Sequence, residues 1–153
     1  MISRYEQFAF AISSIHRCIQ KIERDEMEKR GYKGVFAQYL AAMYRHPEGL
    51  TSMQLSEICD KDKAAVSRAV GEMIDMKLVY RQSVSDHDSR YRALLLLTQE
   101  GQTAAQYVCN RAQAAVDFVG SDLNEQNREI FYSAMAMIAE NLETACEKGL
   151  PEA

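Results

Sequence analysis

Ser85, Asp86, His87, Asp88 and Ser89 bring together every residue type of a hydrolytic triad within five positions. Nucleophilic catalysis needs a base aimed at the nucleophile and a third group orienting that base from behind, which neighbours on one loop cannot supply. The remaining histidines, His16 and His46, lie on separate segments with no HExxH pair, so their spacing offers no metal site. Cys18, Cys59, Cys109 and Cys146 are spread along the chain without a CxxC pair, and are expected as reduced thiols in the core or on helix faces. Cys18 has Arg17 and Lys21 beside it, a setting that stabilises a reactive thiolate, but the isoleucine stripe of the same segment favours an inert thiol near a helix seam. The methionines are expected as core filler, although Met also lines adaptable ligand pockets. The chemistry-bearing residues therefore predict no enzyme, no metal and no cofactor.

The chain has 153 residues, one domain's worth, with 47% hydrophobic and 26% charged residues. No apolar run approaches ~18 residues and no basic-then-apolar leader opens it, so neither a membrane span nor a secretory signal is expected and the location is read as cytoplasmic. A net charge of -4 argues against a general nucleic-acid sponge, because nonspecific binding is driven by phosphate neutralisation. Between Asp60 and Arg92, however, seven basic residues (Lys61, Lys63, Arg68, Lys77, Arg81, Arg90, Arg92) face six acids, so the deficit lies elsewhere. A local basic face on an acidic body fits these numbers.

The elements that would carry such a face follow from periodicity. Tyr5, Phe8, Ile12, Ile15, Ile19 and Ile22 step by three and four along one stripe of a long helix, with the narrow width of a helix-helix seam. KRGYKG breaks that helix, and a second one runs through Val35, Tyr39, Leu40 and Met43 until HPEG. Thr51 and Gln54 form a capping box at the start of a short helix whose Leu55 and Ile58 are expected to face inward. After the turn CDKD, Asp62 caps KAAVSRAVGEMIDM, in which Val66, Val70, Met73 and Ile74 form the buried stripe. The opposite face carries Lys63, Ala64, Ser67 and Arg68. Small residues there let the helix approach a groove wall, and Lys63 and Arg68 can reach phosphate or a guanine edge, as a recognition helix does. LVYRQSV and RALLLLT, separated by the polar SDHDSRY, predict a β-hairpin. A long helix begins at Thr98 and runs through Tyr107, Val108 and Val116 to GSDLN. A last one carries Phe131, Ala134, Met135, Ile138, Leu142 and Ala145, ending near Gly149 and Pro151.

This order of elements resembles the MarR family of bacterial winged-helix transcription regulators over nearly the whole chain. LTSMQLSEICDKDKAAVSRAVGEMIDMKLVYRQ is similar to the family's helix-turn-helix, and DHDSR followed by LTQEG is similar to its wing and the start of the next helix. The family's wing motif of aspartate, any residue, arginine is filled by Asp88, Ser89 and Arg90. The resemblance implies a mainly α fold with a small β-hairpin wing: a winged helix-turn-helix lobe over residues 34–97, and a helical dimerisation region over 1–30 and 98–148. It implies a homodimer that places two recognition helices roughly 34 Å apart on a pseudopalindromic double-stranded operator. Apolar stripes at both chain ends, with too little partner surface in one copy, agree with a second copy.

The candidate DNA-binding residues are Ser52, Gln54, Lys61, Lys63, Ala64, Ala65, Ser67, Arg68, His87, Arg90 and Arg92. Lys63, Ser67 and Arg68 would enter or flank the major groove, while Ser52 and Gln54 would donate to phosphate alongside free helix amides. Arg90 would reach a narrow minor groove from the wing tip. Asp88 would hold the wing's shape by pairing with Arg81 or Arg92 on the hairpin strands. The implied function is a repressor released when a small molecule occupies a cleft between the dimer helices and the DNA lobe. Two alternatives stand beside it: a winged-helix dimer used as a protein-interaction module, and a thiol-based redox-sensing regulator. A capped short helix before an amphipathic one is common in helical proteins, so the order of elements carries the reading.

Overall fold

Short polar side chains open five of the six helices by taking an otherwise free amide. In the computed structural model, which describes residues 3–83 and 92–150, the helices are α1 (Arg4–Lys29), α2 (Phe36–Arg45), α3 (Ser52–Cys59), α4 (Lys63–Asp75), α5 (Gln99–Val119) and α6 (Glu125–Lys148). Two strands, β1 (Val79–Gln82) and β2 (Leu94–Leu97), lie between α4 and α5. Ser3 and Thr51 each form a full capping box, with Glu6 and Gln54 returning the bond. Asp62 accepts from the Ala65 amide at 2.8 Å, and Asn124 from that of Asn127 at 2.8 Å. Thr98 plays the same part for α5, accepting from Gly101 N at 3.0 Å, so the helix proper starts one residue after it.

The chain forms two compact units, Met1–Ala114 and Ala115–Ala153. The core of the first is built around α2, of which Phe36, Ala37, Tyr39, Leu40, Ala41, Ala42 and Met43 are all buried. A helix that buries its alanines as well as its large apolar residues belongs at the centre of a lobe. Met27 from the end of α1, Leu55 from α3, Val66, Val70 and Met73 from α4, Leu95 from β2 and Val108 from α5 complete it. Val35, expected in the α2 stripe, is instead 45% exposed, because it precedes the first helical turn as its N-cap. Ile58 was expected inward and is 49% exposed. Cys59 takes the inward place, half-buried with its Sγ 3.8 Å from the Gln38 carbonyl. In the second unit no residue of α6 is buried.

The strands pair antiparallel, with Val79 opposite Leu97 and Arg81 opposite Leu95 on the core side, and Tyr80 opposite Leu96 on the outer side. Leu50 adds a third, single-residue rung, exchanging backbone hydrogen bonds with Leu95 at 3.2 and 2.7 Å. Gly49, at φ 96°, permits this approach: a Cβ there would lie 3.1 Å from Leu94 Cβ. Helix α4 ends in a Schellman motif, with Leu78 N donating to Met73 O and Lys77 N to Ile74 O, both at 2.9 Å, around Lys77 at φ 59°. Leu78 then receives α5. Its carbonyl accepts from Thr98 N at 3.0 Å, and Thr98 Oγ1 donates to Lys77 O at 2.6 Å. Where α1 meets α5, the buried Glu26 carboxylate accepts from Lys29 Nζ at 2.6 Å and from Tyr107 OH at 3.0 Å, with Arg111 Nε 3.4 Å away.

Candidate nucleic-acid interface

Helices α3 and α4 are joined by a three-residue turn that leaves little freedom in their crossing. Asp60 adopts the left-handed conformation at φ 49°, and its amide donates back to Glu57 O. Lys61 N donates to Ser56 O at 3.0 Å while Ser56 Oγ donates to Lys61 O, a reciprocal clasp across the turn. Asp62 then caps α4. The left-handed residue is an aspartate, whose short polar side chain tolerates that backbone region.

Along α4 the buried residues are Val66, Ala69, Val70 and Met73, which sets the exposed face at Lys63, Ala64, Ser67 and Arg68. These four candidates share one side of one helix. Ala65 is half-buried, turned toward α2 with Val35 and Tyr39, so it flanks the exposed face instead of crowning it. Lys61 is exposed in the turn before the cap. Ser52 is half-buried in the first turn of α3 and Gln54 is exposed. The Gln54 carboxamide oxygen accepts from Thr51 N at 2.9 Å and from Thr51 Oγ1 at 3.1 Å. Capping therefore occupies the acceptor half of that side chain, and its NH₂ is the half suited to a phosphate.

The wing candidates divide. Arg81 is half-buried on the core side of β1. Arg92 is exposed but lies ahead of β2, not on a strand as expected. The strand begins at Leu94 because Arg92 and Ala93 form a turn before the pairing register is reached. His87, Asp88 and Arg90 lie outside the described residues.

The thiols separate by environment. Burial pushes the Cys59 and Cys109 thiols above their ordinary value, with Arg45 opposing. Cys18 is exposed. Of its two neighbouring cations, Lys21 is paired with Asp25 and Arg17 donates to Ser14 Oγ at 3.4 Å. Among the described residues, no three His, Cys, Asp or Glu side chains are grouped to hold a metal ion.

Contacts between segments far apart in the chain escaped the sequence reading. The Leu50 rung joins segments far apart in the chain and has no local signature beyond an apolar residue ahead of a capping box. The ion pair between Lys33 and Glu72 links the α1–α2 connection to the flank of α4, again across a long sequence separation.

Comparison with known proteins agrees with this arrangement. The model of the MarR family matches residues 30–90, a span that covers α2, α3, α4 and β1. That span is 61 of the 153 residues, less than half of the chain. Solved structures extend the likeness in fold. A putative MarR family transcriptional regulator from Listeria monocytogenes, complexed with 26mer DNA, has 18% identity and a TM-score of 0.74, covering 95% of this chain and 97% of its own. A MarR transcriptional regulator from Methanosarcina mazei Go1 has 24% identity and a TM-score of 0.74, covering 94% of each chain. Staphylococcus aureus MarR in complex with salicylate and kanamycin has 17% identity and a TM-score of 0.74, covering 92% of this chain and 93% of its own. A comparison with curated proteins gave no match. These structures share the winged-helix fold, in which α3 and α4 take the place of a helix-turn-helix and the two strands that of a wing's base. No described helix is long and apolar enough to cross a membrane.

Proposed function

We propose that this protein is a non-enzymatic, homodimeric transcription regulator that binds a pseudopalindromic site on double-stranded DNA, acting in the cytoplasm as a repressor released by a small molecule. The observation that carries the reading is the exposed set Lys63, Ala64, Ser67 and Arg68 on one face of a helix whose opposite face is locked into the core. Two small residues allow close approach to base edges, and two cations bracket them, the composition a major-groove helix needs. Gln54 and Ser52 would add phosphate contacts from the start of α3. His87 and Arg90 would work from the wing tip, with Arg90 in the minor groove, and Asp88 would steady that tip against Arg81 or Arg92. The listerial structure with DNA supports the DNA partner, and the staphylococcal one with salicylate supports a small-molecule effector.

Selection of duplexes from a random pool, followed by titration of the winning sequence, tests the reading. Wild type should enrich a two-fold site with half-sites about one helical turn apart. Arg68→Ala should relax preference at one base position by about 1–3 kcal/mol. Enrichment of no sequence by the wild-type protein would refute the function.

A further inference from the structure

One flank of α4 carries further charged side chains, which continue from Arg68 at the edge of the face that would enter the groove. A cleft of about 300 Å³ is lined by Glu23 and Arg24 of α1 and by Lys61. A neighbouring one of about 200 Å³ is lined by Lys33, Arg68 and Glu72. Both share Val35, Tyr39 and Ala65, so the two form one trough running between the α1–α2 connection and the side of α4. Of the charged side chains lining it, four are basic and two acidic. The two acids sit differently in it. Burial pushes the Glu23 carboxyl up from its ordinary value, with Arg45 and His16 opposing. Glu72 is bound to Lys33, whose side chain is 63% exposed.

The position of this trough follows from the helix period. Counting 100° per residue, Ala64 and Gly71 lie near the centre of the outward side of α4, and Arg68, Glu72 and Ala65 lie successively round one edge. A helix seated in the major groove has a phosphate backbone along each edge. A cationic trough on such an edge meets one of those strands.

We propose that the trough between the α1–α2 connection and α4 seats the DNA backbone flanking the major groove, with Lys33, Arg24 and Lys61 as sequence-independent phosphate contacts and Glu72 as the group that holds Lys33 in place until phosphate replaces it. The proposal rests on the DNA-binding function and adds to it Arg24 and Lys33, which lie outside α3 and α4, beside the Lys61 of the turn between them. An exposed ion pair of this kind is weak and salt-sensitive, so exchanging a carboxylate for a phosphate is easily reversible.

The experiment uses the duplex enriched by wild-type protein and a scrambled duplex of equal length, titrated by fluorescence anisotropy over a series of salt concentrations. Lys33→Gln should weaken both duplexes by the same factor and reduce the slope of log affinity against log salt by about one. Glu72→Gln should tighten both, and more so with Lys33 present than in the Lys33→Gln background. Unchanged affinity and slope in Lys33→Gln, with Arg68→Ala still impaired, would overturn the trough while leaving the DNA-binding function standing. No binding by wild type would overturn both. Thermal melting of each variant confirms that the fold is intact, and Arg24→Gln provides a second, independent variant with the same expected loss of slope.

Discussion

Glu26 is the one buried charged side chain among the described residues, and its three partners come from two helices. The hydrogen bond from Lys29 does most to hold its carboxyl below the ordinary value of 4.5, assisted by Tyr107 and by the Arg111 charge. A carboxyl whose folded pKa is lowered contributes stability that is complete above its unfolded value and disappears as pH falls through the folded one. Urea denaturation followed from pH 7 downward should therefore show a stability loss that starts near pH 4.5. Glu26→Gln should be less stable at pH 7 and flatter below pH 5. A variant with the wild-type pH profile would show that this cluster is not a source of the acid sensitivity. Glu26 was not singled out in the sequence because one acid in a charged stretch is silent about burial; Tyr107 and Arg111, which make burial tolerable, lie some eighty residues away.

At the scale of elements, caps and turns were legible because their chemistry is local. Thr51 with Gln54, and Asp62 three residues ahead of Ala65, declare helix starts within four positions. The exposed face of α4 was equally legible, since its four members fall opposite a stripe of period 3.6. Ile58 was misplaced because Cys59, one residue on, is also apolar, and only the packing against α2 decides which turns inward. The central place of α2 was hidden for a related reason: Gln38 and Arg45 give FAQYLAAMYR an ordinary polar side, and only the fold shows that its alanines are enclosed as well. The junction of α4 and α5 yields a prediction at this scale. A Cβ on Gly101 would lie 2.0 Å from the Leu78 carbonyl oxygen, and that atom belongs to a backbone held by hydrogen bonds on both sides. Gly101→Ala should cost at least about 2 kcal/mol by chemical denaturation, because backbone cannot yield as a side-chain tip does. A loss below about 0.5 kcal/mol would show that the junction is looser than this geometry.

For the whole molecule the telling feature is unpartnered apolar surface. On α1, Tyr5 is 77% and Phe10 74% exposed, with Phe8 and Ile15 also open. On α6, Ile130, Phe131, Met137 and Leu142 are all exposed. Neither unit by itself buries these side chains, and each large one covered on association contributes about 1.5–3 kcal/mol. Sedimentation velocity at micromolar concentration should give a dimer. Phe8→Glu combined with Ile15→Glu should shift it to monomer, and a wild-type monomer would remove the basis for paired recognition helices. The apolar stripe of α1 was visible in the sequence, but its exposure in one copy needed the fold, since periodicity says which face is apolar and not what covers it.

The hydrogen bonds that tie Thr98 to Lys77 and Leu78 leave no slack between the end of α4 and the first turn of α5. A tilt imposed on α5 would reach the neighbouring end of α4 through these two bonds, as one gear tooth drives the next.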